Sequence, residues 1–498
     1  MAKVTPLFRQ TAHYVGGRAA VLLLGLVSFP LYTRLFSVAE YGRLSLVLKL
    51  VTLATTAAKL GLQHAVVRHY EENQESEHQR TSYYSTLLGG VVLTSCAVAL
   101  LAFGLLTVSW NWFEPDLRTS LRVGCVLVAI RGVYWLEMSF LRVEGRTGVY
   151  NVVEVLIRAG AVTVVPLLLF LVGVRVWVFL TGLIIVETTA TVGILVSIYS
   201  RTSMRPAAFD RTLFRSSLLY CIPLLGAEVS AILLDSGDRI FVTYFLGATQ
   251  LGYYSVVYNF STYVQDLLLT PLGLAITPAY MKIWVRDGPA ATGAFLRRWL
   301  NAYILVAAGV LAVATVSSRE MLIVLSSRKY ESAFPLLPVI LAGLLFWGTQ
   351  VFFNAPFLIR RKTVELTRLV FLSFLVNVAL NICLLRIMGI WGAAIATLLS
   401  YALYTGMVAW QGRKHLAVGV RWARPGKAIL AAAAAGALVF RIQTGLGLFV
   451  NGAMKGLSAM ILYVALLCAL DAEARGMVRE ALAYLTSTLK VRALDTSG

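Results

Sequence analysis

Leu31-Tyr-Thr-Arg-Leu-Phe-Ser-Val-Ala-Glu-Tyr-Gly-Arg-Leu-Ser45 and Phe241-Val-Thr-Tyr-Phe-Leu-Gly-Ala-Thr-Gln-Leu-Gly-Tyr-Tyr-Ser255 are two copies of one signature, about 210 residues apart. Aligned without a gap, Thr33 falls on Thr243, Gly42 on Gly252, Ser45 on Ser255, Val47 on Val257 and Tyr70 on Tyr280. A second echo runs at an offset of about 216, where Arg146-Thr147 matches Lys362-Thr363 and Gly173-Val174 matches Gly389-Ile390. Each copy joins two long apolar stretches. A duplicated membrane-spanning unit is how many carriers are built, with the substrate site between the copies.

Composition agrees. The chain has 498 residues, of which 58% are hydrophobic and 14% charged, and its mean hydropathy is +0.77. A soluble domain would carry about 25% charged residues. Apolar runs long enough to cross about 30 Å of hydrocarbon recur almost throughout. Lys3 and Arg9 precede the first run, which continues to about Leu35 with no small-residue cleavage site and reads as a retained span.

The spans fall at about 13–35, 43–66, 83–109, 120–141, 149–172, 177–199, 216–236, 252–280, 297–316, 335–358, 364–386, 390–411, 427–447 and 453–470. The expected fold is therefore an all-α polytopic membrane protein with about 14 transmembrane helices. Two six-helix lobes, 1–205 and 206–418, are followed by two more helices over 419–470. A cytoplasmic amphipathic tail spans 471–498, with Val478, Leu482, Leu485 and Leu489 at helical spacing. With the N-terminus inside, cytoplasmic segments hold roughly 27 of the 44 basic residues and the opposite loops roughly 12. Both termini are expected in the cytoplasm.

A net charge of +20 would suggest nucleic acid in a soluble chain. Here the basic residues crowd short loops, where topology and anionic headgroups account for them, so no nucleic-acid partner is expected. The five cysteines lie within apolar runs and form neither a disulfide framework nor a metal cluster. The longest outer loop, about 317–334, carries an amphipathic piece (Met321, Leu322, Val324, Leu325) expected at the interface. No loop has room for a catalytic domain. A phosphate-cradling glycine loop, nucleophile elbow and metal-ligand spacing are all missing, so neither an enzyme nor a cofactor is expected.

The strings Phe29-Pro-Leu-Tyr-Thr-Arg-Leu-Phe-Ser-Val-Ala-Glu-Tyr-Gly42, Arg142-Val-Glu-Gly-Arg146, Leu251-Gly-Tyr-Tyr-Ser255 and Lys329-Tyr-Glu-Ser-Ala-Phe-Pro335 carry a resemblance. Over about residues 8–415 the chain resembles the polysaccharide (O-antigen, oligosaccharidyl-lipid) flippase family of the multidrug/oligosaccharidyl-lipid/polysaccharide exporter superfamily. It departs at Ser326-Ser327, where members often carry Phe-Gly. The resemblance implies two lobes facing each other across a central cavity that rocking opens to either side. It also implies a polyprenyl-diphosphate-linked oligosaccharide as cargo, moved to the outer leaflet of the inner membrane. Implied partners are membrane lipids, a polysaccharide polymerase or glycosyltransferase, and a coupling ion, proton or sodium. A peptidoglycan-precursor flippase and a drug/cation antiporter share the architecture, and a membrane-embedded glycan polymerase or ligase is the rival of a different class.

A charge at mid-bilayer costs about 2.5–3.5 kcal/mol on insertion scales, so such residues face a cavity or a partner. Arg18, Lys49, Lys59 and Arg131 lie within spans of the first lobe and are the expected ligands of the lipid diphosphate. Alternatively, Arg18 snorkels to the interface, and a lysine pairs with Glu187 or Glu137. Glu154 and Arg158, four apart with the acid first, favour a self-neutralising pair. In the second half, Asp266 and Glu228 are the candidates for ion coupling.

Overall fold

The computed structural model describes residues 21, 23–108, 114–200, 202, 204–419, 423–440, 447–471 and 475–476. Regular structure among them is entirely helical. The helices are α1 (Leu23–Leu35), α2 (Val38–Ala58), α3 (Leu62–His69), α4 (Glu77–Val108), α5 (Pro115–Val143), α6 (Thr147–Val172), α7 (Val176–Tyr199), α8 (Arg211–Ser236) and α9 (Asp238–Val316). They continue with α10 (Ser318–Leu325), α11 (Leu337–Gly348), α12 (Gln350–Phe353), α13 (Ala355–Ile359), α14 (Thr363–Met388), α15 (Ile390–Gly412), α16 (Ala423–Val439) and α17 (Leu448–Leu470).

Among the described residues every expected span falls on helix, and the differences lie in how the helices join. The span expected at 43–66 is broken: α2 and α3 meet at 45°, because Leu60 (φ +48) and Gly61 (φ +74) adopt left-handed backbone between them. The spans expected at 252–280 and 297–316 share one continuous run of helix, α9, in which Gly247 and Gly288 adopt left-handed backbone. The span at 335–358 becomes a tight 3-10 stretch and three short helices, with Pro335 and Pro356 marking two of the joints. The expected tail helix lies outside the described residues apart from 471 and 475–476.

Nine helical runs among the described residues are long and apolar enough to cross a membrane, or ten with the bent α2–α3 pair. The most apolar part of α6 is only 11% buried within the protein, and that of α4 only 17%. Such exposed apolar faces require a lipid solvent. The chain is a multi-pass membrane protein.

Contacts group residues 1–271 with 363–404 into one compact unit, and 272–362 with 405–498 into a second. In the first unit, Tyr83, Tyr84, Leu136, Phe140, Ile194 and Cys221 belong to one buried cluster drawn from α4, α5, α7 and α8. The repeat is visible here in side-chain detail. Thr33 donates to the Phe29 carbonyl at 2.9 Å, and its counterpart Thr243 donates to the Arg239 carbonyl at 2.8 Å. A Cβ on Gly42 would sit 2.1 Å from the Ala248 carbonyl oxygen, and one on Gly252 would sit 2.0 Å from the Val38 carbonyl oxygen. Val38 and Ala248 are themselves repeat equivalents, so the two copies cross at their matched glycines, each against the other's matched carbonyl.

In the second unit, Ala428, Ala431 and Ala435 of α16 pack on Tyr463 and Leu467 of α17. The amphipathic piece expected at the interface is α10. It is anchored to α17 by buried Glu320, which accepts from Lys455 at 2.7 Å and Asn451 at 2.8 Å.

Candidate functional site

The first compact unit contains a cavity of about 680 Å³. On α2 it is lined by Ser45, Lys49, Thr52, Thr56 and Lys59. This spacing of seven residues and its halves puts them on one face, a polar stripe along an otherwise apolar helix. A capping box sets where this helix begins: Ser37 accepts from the Glu40 amide, and the Glu40 carboxylate accepts from the Ser37 amide. Lys59 caps its C-terminus, where exposed carbonyls favour a cation. Opposing walls supply Arg131 and Trp135 from α5, Glu154 and Arg158 from α6, Glu187 from α7, Glu228 from α8, and Tyr263 from α9.

Three of the four cations are paired. Arg131 offers its fork to Glu187, with Nε at 2.8 Å from Oε2 and Nη2 at 2.6 Å from Oε1. Lys59 Nζ lies 2.5 Å from Glu228 Oε1, whose other oxygen accepts from Gln63 at 2.9 Å. Lys49 Nζ lies 3.3 Å from Asp235 Oδ2. Asp235 also accepts from Ser236 at 2.6 Å and Tyr258 at 2.8 Å. Behind it stands fully buried Arg239, its guanidinium 4.3 Å from the Tyr258 ring centroid, donating to the Asp235 carbonyl at 3.2 Å. The Lys49 pair is therefore tied to a buried polar network that includes Asp238, Tyr254 and Tyr401.

Lys49, Lys59 and Arg131 thus line one cavity together, while Arg18 lies outside the described residues. Neither carboxylate offered to the lysines by the sequence is taken by one. Glu187 holds Arg131, and fully buried Glu137 has no hydrogen-bond partner on either oxygen. Glu228 sits in the cavity on Lys59, whereas Asp266, half-buried on α9, is not among the described residues that line it. The structure does not gather these two at one site.

Arg158 is the residue the sequence reading misplaced. Glu154 accepts from the Tyr150 hydroxyl at 3.1 Å, and no ion pair joins it to Arg158 among the described residues. Among the described residues Arg158 has no carboxylate partner, and it faces the cavity exposed, beside Tyr134 and Tyr263. The signal was available in the spacing of Glu154, Ile157, Arg158 and Ala161, which share one helical face.

Among solved structures, the chain is similar to the lipid II flippase MurJ in an inward closed conformation, with a TM-score of 0.73 and 15% identity over 91% of this chain and 97% of that one. It is similar to an inward-facing multidrug resistance MATE family transporter of the MOP superfamily, with a TM-score of 0.65 and 12% identity over 79% and 94%. A MOP superfamily transporter from Pyrococcus furiosus, described with a binding pocket of reverse polarity, gives a TM-score of 0.54 and 12% identity over 82% and 94%. No curated protein matches the sequence. At these identities the likeness establishes the fold alone, one shared with these solved transporters. The family described as polysaccharide biosynthesis protein matches residues 31–335. With more than half of its length in that match and the fold in agreement, the chain belongs to the polysaccharide biosynthesis protein family.

Proposed function

We propose that the protein is a flippase that carries polyprenyl-diphosphate-linked oligosaccharide from the cytoplasmic to the outer leaflet by alternating access, for cell-surface polysaccharide assembly. The repeat halves, 1–205 and 206–418, are its moving lobes, and it works in the inner membrane with both termini in the cytoplasm. The observation that carries this reading is the charge of the cavity wall: Lys49, Lys59, Arg131 and Arg158 against Glu154, Glu187 and Glu228. A diphosphate leaving water needs such cations, and arginine can grip it through two parallel donors.

Arg158 is ready to take the first phosphate oxygen. Lys59 and Lys49 follow by exchanging a carboxylate oxygen for a phosphate oxygen, while Gln63 still donates to Glu228, and Ser236 and Tyr258 to Asp235. Trp135, Tyr32 and Phe179 give the wall flat faces against which sugar rings can lie. A volume within about 300–1,000 Å³ suits the diphosphate and the proximal sugars. Glu228 and Asp266 are the candidates for coupling to a proton or sodium gradient. Implied partners are membrane lipids and the polymerase or glycosyltransferase that uses the exported glycan. The protein itself performs no bond chemistry in this scheme. Transport of the peptidoglycan lipid precursor is the second reading, favoured by the likeness to MurJ.

Deleting the gene tests both. A lipid-linked surface-polysaccharide intermediate should accumulate on the cytoplasmic face, and Arg158→Gln should restore export at least tenfold less well than wild type. Accumulation of lipid II would move the assignment to the second reading. Normal surface polysaccharide with no accumulated intermediate would overturn both.

A further inference from the structure

Glu137 lies on α5 six residues beyond Arg131, with no exposure to solvent. Neither carboxylate oxygen has a hydrogen-bond partner, and no cation pairs with it among the described residues. The carboxylates around the cavity are different: Glu187, Glu228 and Asp235 each hold a cation, and Glu154 holds a hydroxyl.

The helices packed against α5 are α2, α3, α4, α6 and α7. None of their titratable groups bonds to Glu137 among the described residues. From α2, Lys49 is held by Asp235 and Lys59 by Glu228. From α4, Tyr83 donates to the Val66 carbonyl and Tyr84 to Glu144. Arg68 and His69 on α3 go to Glu72, and Glu187 on α7 goes to Arg131. His64 on α3 and Arg158 on α6 make no bond to Glu137, and on α5 itself Arg142 lies over the Tyr150 ring. The residues one turn away on the same face of α5, Val133, Tyr134, Phe140 and Leu141, belong to or pack on the buried hydrophobic cluster.

A bare carboxylate charge is not sustained in such surroundings, and the group becomes neutral instead. Sodium would need several further oxygen ligands, and no described polar group bonds to either Glu137 oxygen; a proton needs none. We propose that Glu137 is a proton-binding site of the transport cycle, loaded in the conformation described here. Release breaks the carboxyl O–H bond, passes the proton to water that reaches α5 in another conformation, and leaves the carboxylate; reloading reverses the step. Passage through the present conformation then requires a proton on Glu137, whatever the cargo.

Infrared spectroscopy of the full-length protein in lipid nanodiscs at neutral pH tests this directly. Wild type should show a protonated-carboxyl C=O band that Glu137→Gln lacks, and the band should be unchanged when sodium is replaced by choline. Glu137→Gln should fold as wild type does, because an amide replaces a neutral acid of the same shape. Export of surface polysaccharide should nonetheless fall at least tenfold in Glu137→Gln and recover in part in Glu137→Asp. Identical spectra, or a band that appears only without sodium, would overturn the proton assignment. Loss of the band with export intact would make the proton structural and sink the coupling role. A gene deletion without effect on polysaccharide would refute the proposed cargo while leaving the infrared test standing.

Discussion

Arg131 and Glu187 form the better enclosed of the cavity's arginine and lysine pairs, with side-chain exposures of 19% and 6%, against 32% and 38% for Lys49 and Asp235. That contrast separates folding from transport. Removing one partner of an enclosed pair strands the other, so Arg131→Gln or Glu187→Gln should each destabilise the protein by about 3–5 kcal/mol. The double variant should recover much of that loss, as read by unfolding in detergent. A pair as exposed as Lys49–Asp235 contributes about 0–1 kcal/mol, so Lys49→Gln should depress export while leaving the unfolding midpoint almost unmoved. Equal stability losses at Arg131 and Lys49 would refute this division. Lys49, Lys59 and Arg131 were legible in the sequence because a charge inside an apolar run has few places to go. Their partners were not, since pairing across helices depends on rotation about each axis. Arg158 was misread for a local reason: Glu154 has a neighbour four residues on either side, and Tyr150 won over Arg158.

Among the elements, helix existence could be read with ease and helix breaks could not. Apolar runs announce spans, but the turn at Leu60–Gly61 and the joints around α11 to α13 come from single backbone conformations that hydropathy does not register. Equally, Gly247 and Gly288 turn the backbone while helical hydrogen bonding continues through α9, so the sequence suggested a gap where the structure has none. The crossing of α2 with α9 is the most demanding contact. Backbone oxygens would lie about 2 Å from a new methyl on either glycine, and backbone on both sides cannot give way as a flexible side chain can. Gly42→Ala and Gly252→Ala should each cost more than the usual 1–3 kcal/mol of overpacking, measured as loss of folded protein in detergent. Gly226→Ala, where nothing lies within 4 Å, is the control and should be neutral. Comparable losses at all three positions would disprove the crossing.

For the whole molecule, the alternation of basic loops predicts sidedness. Cysteine placed at Ser76, between α3 and α4, should resist a membrane-impermeant maleimide in intact cells, whereas cysteine at Ser327, after α10, should react. The native cysteines lie within apolar runs and should contribute little background. Reaction at Ser76 with protection at Ser327 would invert the assignment. The sequence carried the class of molecule and the duplication. It did not carry the compact grouping of 1–271 with 363–404, which depends on which helices meet after the chain has returned across the membrane several times. The meeting of matched glycines has a consequence at this scale. Val38 touches Gly252 as Ala248 touches Gly42, which is the reciprocity of an isologous patch in a twofold homodimer. The two copies within this one polypeptide thus meet as the halves of such a dimer would, and the local pseudo-twofold relating them passes through this spot. A residue on such an axis belongs to both partners at once, so neither half can drift there without its twin.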